Sequence, residues 1–71
     1  MEYIRVTFDP NDIHDVIANG NVIGQTETGL ALTANYYVIS LSGSGYAPLF
    51  WYGVVSGTSP GNPLLIQFAK A

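Results

Sequence analysis

Apolar residues recur at every second position along most of this chain, which is the period of a β-strand and not of a helix. Turn residues such as Asp9-Pro10 and Gly43-Ser44-Gly45 separate the alternating segments. The pattern predicts an all-β fold, a small antiparallel β-sandwich or partly open barrel of about six to seven short strands. We expect its core to contain the inward set Ile4, Val6, Phe8, Ile23, Leu30, Leu32, Tyr37, Ile39, Leu41, Leu64, Ile66 and Phe68.

Length limits how such a fold can be stabilised. The chain has 71 residues, so we expect residues 1–71 to form a single domain. A domain of this size buries only about 60% of the surface that its unfolded chain exposes. The sequence has no cysteine and one histidine, which excludes disulfides, thiolate metal sites and a multi-histidine zinc site within one chain. We therefore expect stability to come from tight packing or from association with another subunit.

Charge is scarce and unevenly placed. Charged residues make up 10% of the chain, against about 25% in a typical soluble domain. The whole segment from Thr28 to Ala69 is uncharged. Because interface cores are depleted in charge, we expect another subunit or a ligand to cover part of this surface. The alternative is an ordinary hydrated surface rich in Ser, Thr and Gly.

The net charge and hydropathy also exclude some partners. A net charge of −3 gives no attraction to nucleic acid or to anionic lipid. No apolar run approaches the length of about 20 residues that a membrane helix needs, and Met1-Glu2 does not begin a signal peptide. We expect a soluble protein without a membrane span, and the low-charge composition suggests a surface, extracellular or virion setting.

The segment Asn11 to Ala18 allows two interpretations. Asp9 could cap a short helix that begins with Pro10. Against this, Asn19-Gly20 lies between two apolar runs, and an Asn-Gly pair in this position is a strong hairpin signal because both residues tolerate positive φ. We favour the hairpin.

One stretch of the chain resembles a known family. From Asn19 to Tyr46 the spacing is similar to that of a PEGA domain. The matching motifs are Asn19-Gly20, Val22-Ile23, Gly24-Gln25-Thr26, Leu30-Ala31-Leu32, Asn35-Tyr36-Tyr37, Val38 to Ser42 and Gly45-Tyr46. The departures are Glu27 in place of a proline, Asn35 in place of a glycine, and Pro10 one residue too far upstream. The resemblance implies a small β-sandwich of a kind that is mostly non-catalytic, appended to larger surface-associated proteins and presumed to bind.

No motif predicts catalysis, a cofactor or a metal. The acidic stretch from Asp9 to Asp15 lacks the spacing of a calcium loop, and it is typical of a solvated turn in which Asp and Asn bond their own backbone. Gly43-Ser44-Gly45 lacks the frame of a nucleophile elbow, and neither Gly-rich segment forms a phosphate cradle. We therefore expect a protein that is not an enzyme.

The aromatic residues are the best candidates for a binding surface. Trp51 must face opposite to Phe50 and Tyr52, so one set lies outward. Exposed Trp and Tyr side chains anchor interfaces or stack on ligands. The candidate interface or ligand-stacking residues are Trp51, Tyr52, Phe50, Tyr46, Tyr36 and Val38.

Two functions follow from these candidates. The first is a self-associating homo-oligomer that serves as a structural or assembly component, with Trp51 as its anchor. The alternative is a small binding module that holds a sugar, nucleotide or peptide in grooves between subunits. A third arrangement is docking on a larger protein by strand addition to an exposed sheet edge.

Overall fold

The computed structural model describes all residues, Met1–Ala71, and the predicted all-β fold is confirmed. The chain forms strands and turns without a helix. Seven strands have four or more residues, as the alternation predicts, and two further strands have only two residues. The strands are β1 (Glu2–Thr7), β2 (Asp15–Ala18), β3 (Asn21–Gln25), β4 (Gly29–Leu32), β5 (Asn35–Leu41), β6 (Tyr46–Ala47), β7 (Trp51–Val55), β8 (Leu64–Gln67) and β9 (Ala69–Lys70).

The strands form two main sheets. One has three strands in the order β4-β1-β8, and the other has four strands in the order β3-β2-β5-β7. A two-stranded ribbon, β6-β9, completes the fold. Every pairing is antiparallel except that of β1 with β8, which run parallel. Both main sheets contribute to one core in an open, sandwich-like arrangement.

The core follows the alternation of the sequence. Ten apolar residues are buried, namely Ile4, Val6, Val16, Ala18, Leu32, Ile39, Leu41, Val55, Ile66 and Phe68. The expected core residues that are absent from this set pack against it as half-buried side chains, namely Phe8, Ile23, Leu30, Tyr37 and Leu64. Val16, Ala18 and Val55 were not expected there. They complete the inward rows of β2 and β7.

The predicted hairpin at Asn19-Gly20 is confirmed and the helix alternative is wrong. Both turn residues have positive φ, 49° and 85°, and β2 pairs with β3 across them. The preceding residues form a tight turn in which the Asp12 N–H donates to the Asp9 carbonyl at 2.9 Å. Oδ1 of Asp9 also accepts the N–H of Asn11 at 2.9 Å, which is the self-bonding expected of a solvated turn.

Glu27 joins the β3–β4 turn to β1. Its φ is 66°, and its N–H donates to the Val6 carbonyl at 2.9 Å. Oε1 of Glu27 accepts the N–H of Phe8, and its carbonyl accepts Nη2 of Arg5, both at 2.8 Å. Proline has a fixed φ near −65° and could not occupy this turn.

Two glycines offer a matched test of the hairpin. A Cβ at Gly20 or at Gly29 would meet open space, but only Gly20 has a positive φ. We expect Gly20→Ala to lower the free energy of unfolding by about 1 to 2 kcal/mol. Gly29→Ala is expected to be neutral or to raise it by about 0.5 to 1 kcal/mol. Urea denaturation measures both, and equal effects would contradict the left-handed turn.

Candidate functional site

The four-stranded sheet carries apolar side chains on both of its faces. Its inner face packs into the core. On the opposite side, β-sheet register places Tyr36 beside Val54 and Val38 beside Tyr52. On the same side, Ile17 of β2 lies between Ser40 of β5 and Val22 of β3. We call this set the outer face: Ile17, Val22, Tyr36, Val38, Tyr52 and Val54.

Most of the outer face is open to solvent. The exposed fractions are 54% for Tyr36, 62% for Tyr52, 63% for Val22 and 66% for Val54. The only charged residue on the four strands is Asp15, at the first position of β2. Alternation turns it to the same side as Ile17, at one end of the outer face. A contiguous exposed apolar surface on a small protein typically marks an interaction site.

The outer face ends at an edge strand. β7 pairs with β5 on one side and with no strand on the other. Natural sheets usually protect such edges with charged side chains, proline or bulges, but β7 has the sequence WYGVV. The exposed side chains of Leu49 and Phe50 directly precede it. This edge is therefore a template for pairing with another strand.

The six predicted interface residues fall into two groups. Tyr36, Val38 and Tyr52 lie together on the outer face, and Phe50 is exposed beside it. Trp51 and Tyr46 are half-buried against the core instead. The outward aromatic residues at β7 are therefore Tyr52 and the preceding Phe50. Trp51, the expected anchor, points inward.

The inward position of Trp51 has a simple cause. Val55 is fully buried, and strand alternation then turns Gly53 and Trp51 to the same inner side. The indole ring lies over Gly53, only 3.0 Å from where a Cβ would stand at that residue. Gly53 thus leaves the space that Trp51 fills.

Tyr46 belongs to a small aromatic cluster around His14. Its ring packs edge-on against Phe68 with centroids 5.6 Å apart, and its hydroxyl donates to the Leu41 carbonyl at 2.7 Å. The His14 ring packs edge-on against Phe8 at 5.1 Å and against Tyr46 at 6.3 Å. This arrangement explains Tyr46 as a structural residue.

The polar contacts of His14 favour its protonated form. Nδ1 lies 2.5 Å from the Ser42 carbonyl, which can only accept, so Nδ1 carries the proton. Nε2 is buried without an aligned hydrogen bond, yet it lies within ion-pair distance of Asp12, 3.3 Å from Oδ2. The hydrogen bond to Ser42 raises the pKa of His14, and the carboxylates of Asp12 and Asp15 raise it further against the opposing effect of burial.

Three further observations concern metal binding, membrane crossing and the one lysine of the chain. No group of three or more His, Cys, Asp or Glu side chains lies close enough together to hold a metal ion. Because the fold lacks helices, it has no apolar helix that could cross a membrane. Lys70 pairs with Asp9 at 2.8 Å, which joins β9 to the turn after β1 and lowers the pKa of that carboxyl.

Comparisons of the chain with protein-family models, with curated proteins and with solved structures gave no match. The resemblance to PEGA domains therefore stays a prediction.

Sequence reasoning missed Ile17 and Val22 as members of the outer face. Their alternation was visible in the sequence. What was missing was the strand order, because only the pairing of β2 with β5 brings Ile17 onto the same surface as Tyr36.

His14 predicts a pH dependence of stability. Since its folded-state pKa is raised above the ordinary value of 6.5, its contribution is fully present below pH 6.5 and is lost as pH rises through the folded pKa. We expect the free energy of unfolding to fall between about pH 6 and pH 8. Urea denaturation across this range measures the effect, with His14→Gln as the control that removes it.

NMR provides an independent check, because the chain has a single histidine. Titration of the His14 imidazole signals should give a pKa above 6.5. A value at or below 6.5 would contradict the described hydrogen bond and ion pair.

Proposed function

We propose that this protein is a non-catalytic, self-associating structural or assembly module, and that the outer face and the edge strand β7 form its subunit interface. The observation that carries the proposal is the apolar face, with Asp15 at one end as its only charge, that continues to an unprotected sheet edge. Interface cores have this combination of aromatic side chains and missing charge.

A second copy of the chain is the occupant that this surface fits best. A face that is apolar apart from Asp15 at one end is complementary to itself, as the isologous interface of a symmetric dimer requires. The ionised residues lie mostly on β1, on the turns and at the C-terminus, so they would not oppose each other across such an interface.

Size also supports association. A stable interface buries about 800 Å² on each partner, which is about one fifth of the 4102 Å² surface of this chain. A single copy provides only ten buried apolar residues. Covering the outer face would therefore add a second apolar layer to a small core that has no disulfide.

The edge strand suggests the geometry of the contact. Two β7 strands can pair antiparallel across a two-fold axis, which joins two four-stranded sheets into one and satisfies the free backbone groups of both edges. Tyr52 and Val54 would then lie beside their symmetry mates on one continuous surface. An assembly component at a cell surface, in an appendage or in a virion would use such contacts, and the low charge of the chain fits that setting.

A matched pair of lysine substitutions tests the interface. Val54 and Leu65 are both exposed apolar strand residues, 66% and 59% exposed, on different sheets. We expect Val54→Lys to weaken association at least about tenfold, because it would bury an unpaired ammonium group. Leu65→Lys is expected to leave association unchanged. Light scattering behind size exclusion over a concentration series measures the native mass.

A wild-type chain that is monomeric at every concentration would refute self-association. Equal effects of the two lysines would refute the assigned surface. Trp51→Ala is not a suitable probe, because its side chain packs against the core and its loss would destabilise the fold itself.

A further inference from the structure

The three-stranded sheet carries a cavity on the side that faces away from the core. Its volume is about 310 Å³, at the small end of the range of about 300 to 1,000 Å³ that is typical of ligand sites. β1, β4 and the loop before β8 line it, and it is open to solvent on one side. The lining residues that matter for its chemistry are Tyr3, Arg5, Gly29, Ala31, Pro60 and Pro63.

Strand register creates the space. Tyr3 lies beside Ala31 and Arg5 lies beside Gly29 in the β1–β4 pair. Each of these two large residues of β1 thus has a small neighbour on β4. A Cβ added at Gly29 would meet no atom within 4 Å, so the floor of the cavity is open at this point.

The loop before β8, which contributes Pro60 and Pro63 as one wall of the cavity, is held in place by hydrogen bonds. Oε1 of Glu2 accepts both the N–H and the hydroxyl of Thr58, at 2.9 and 2.7 Å. Oγ1 of Thr58 in turn accepts the N–H of Tyr3 at 2.7 Å. The following turn is closed by reciprocal backbone bonds between Ser59 and Asn62. A wall fixed in this way does not have to be ordered when a ligand binds.

Arg5 supplies the only charge in the cavity. The two ion pairs of the protein involve His14 and Lys70, so none of the five carboxylates pairs with Arg5. Its Nη2 donates to the Glu27 carbonyl at 2.8 Å, which orients the guanidinium. The remaining N–H groups of the guanidinium can donate to both oxygens of a carboxylate.

We propose that this cavity binds a carboxylate carried on a small apolar group. The carboxylate pairs with Arg5, and the apolar group lies against Tyr3, Ala31 and the two prolines. This chemistry could come from a free organic acid or from the C-terminus of a peptide with an apolar last residue. The proposal is independent of self-association, because the cavity lies on the sheet that does not contain the outer face.

NMR titration tests the proposal with matched probes. Phenylpropionate and its amide differ only in the charged group, and a short peptide ending in phenylalanine can be compared with its amidated form. We expect phenylpropionate to shift the backbone amide signals of β1, β4 and residues 56–63. The amides should bind at least about tenfold more weakly than the acids, because they lose the charge-assisted pair.

Two variants test the residues from different directions. Arg5→Gln removes the charge, and Gly29→Val fills the floor while leaving Arg5 in place. Both should weaken binding of the acid at least about tenfold. Leu65→Gln is the control, because Leu65 lies beside Arg5 in the β1–β8 pair but does not line the cavity. It should leave binding unchanged.

The outcomes separate the sources of the ligand. Binding of the free acid alone identifies an organic acid, and binding of the peptide acid alone identifies a peptide C-terminus. Binding of both acids supports the shared chemistry. The proposal is overturned if neither acid gives a saturable shift, if acids and amides bind equally, or if Gly29→Val leaves affinity unchanged. The last two results remain decisive even if Arg5→Gln fails to fold.

Discussion

The shared core between the two sheets is the contact on which the rest of this structure depends. The inward residues of β1, Ile4 and Val6, meet a cluster that includes Ile39 and Leu41 of the central strand β5. This core uses one face of each sheet. A chain of 71 residues has no further layer with which to cover the other two faces. One of those faces is apolar and the other contains the Arg5 cavity, so both candidate sites follow from the same limit of size.

Two polar residues hold the turns onto this core. Glu27 donates a hydrogen bond to the carbonyl of Val6 and accepts hydrogen bonds from Arg5 and Phe8, so it is tied to β1 and to the residue just after it. His14 holds the start of β2 to Ser42 at the end of β5. Buried or half-buried polar groups that are paired in this way specify register, because a shifted strand would leave them without partners. The small size of the apolar core makes these bonds more important than they would be in a larger domain.

Much of this fold could be predicted from local pattern. Alternation identified the inward rows of β1, β5 and β8, and the positive φ tolerated by Asn19-Gly20 identified the hairpin. Pairing between distant strands could not be predicted, because period-two alternation does not specify the strand order. Alternation also separates the two faces of a strand without showing which face is inward. For that reason Trp51 was expected at an interface. In the structure Val55 is buried, and alternation turns Trp51 to the same inward side. The Arg5 cavity was missed for a similar reason, since it requires the register of β1 with β4 and a loop from far along the chain.

The free edge of β7 is the central contact of the proposed self-association. Amide hydrogen exchange at low and at high protein concentration tests this claim most directly, because pairing with a second copy would protect backbone groups that a single copy leaves open. We predict that the β7 amides pointing away from β5 exchange at least about tenfold more slowly at high concentration, while the edges of β4 and β8 are unchanged. Exchange at β7 that does not depend on concentration, or slowing confined to β4 or β8, would contradict the account.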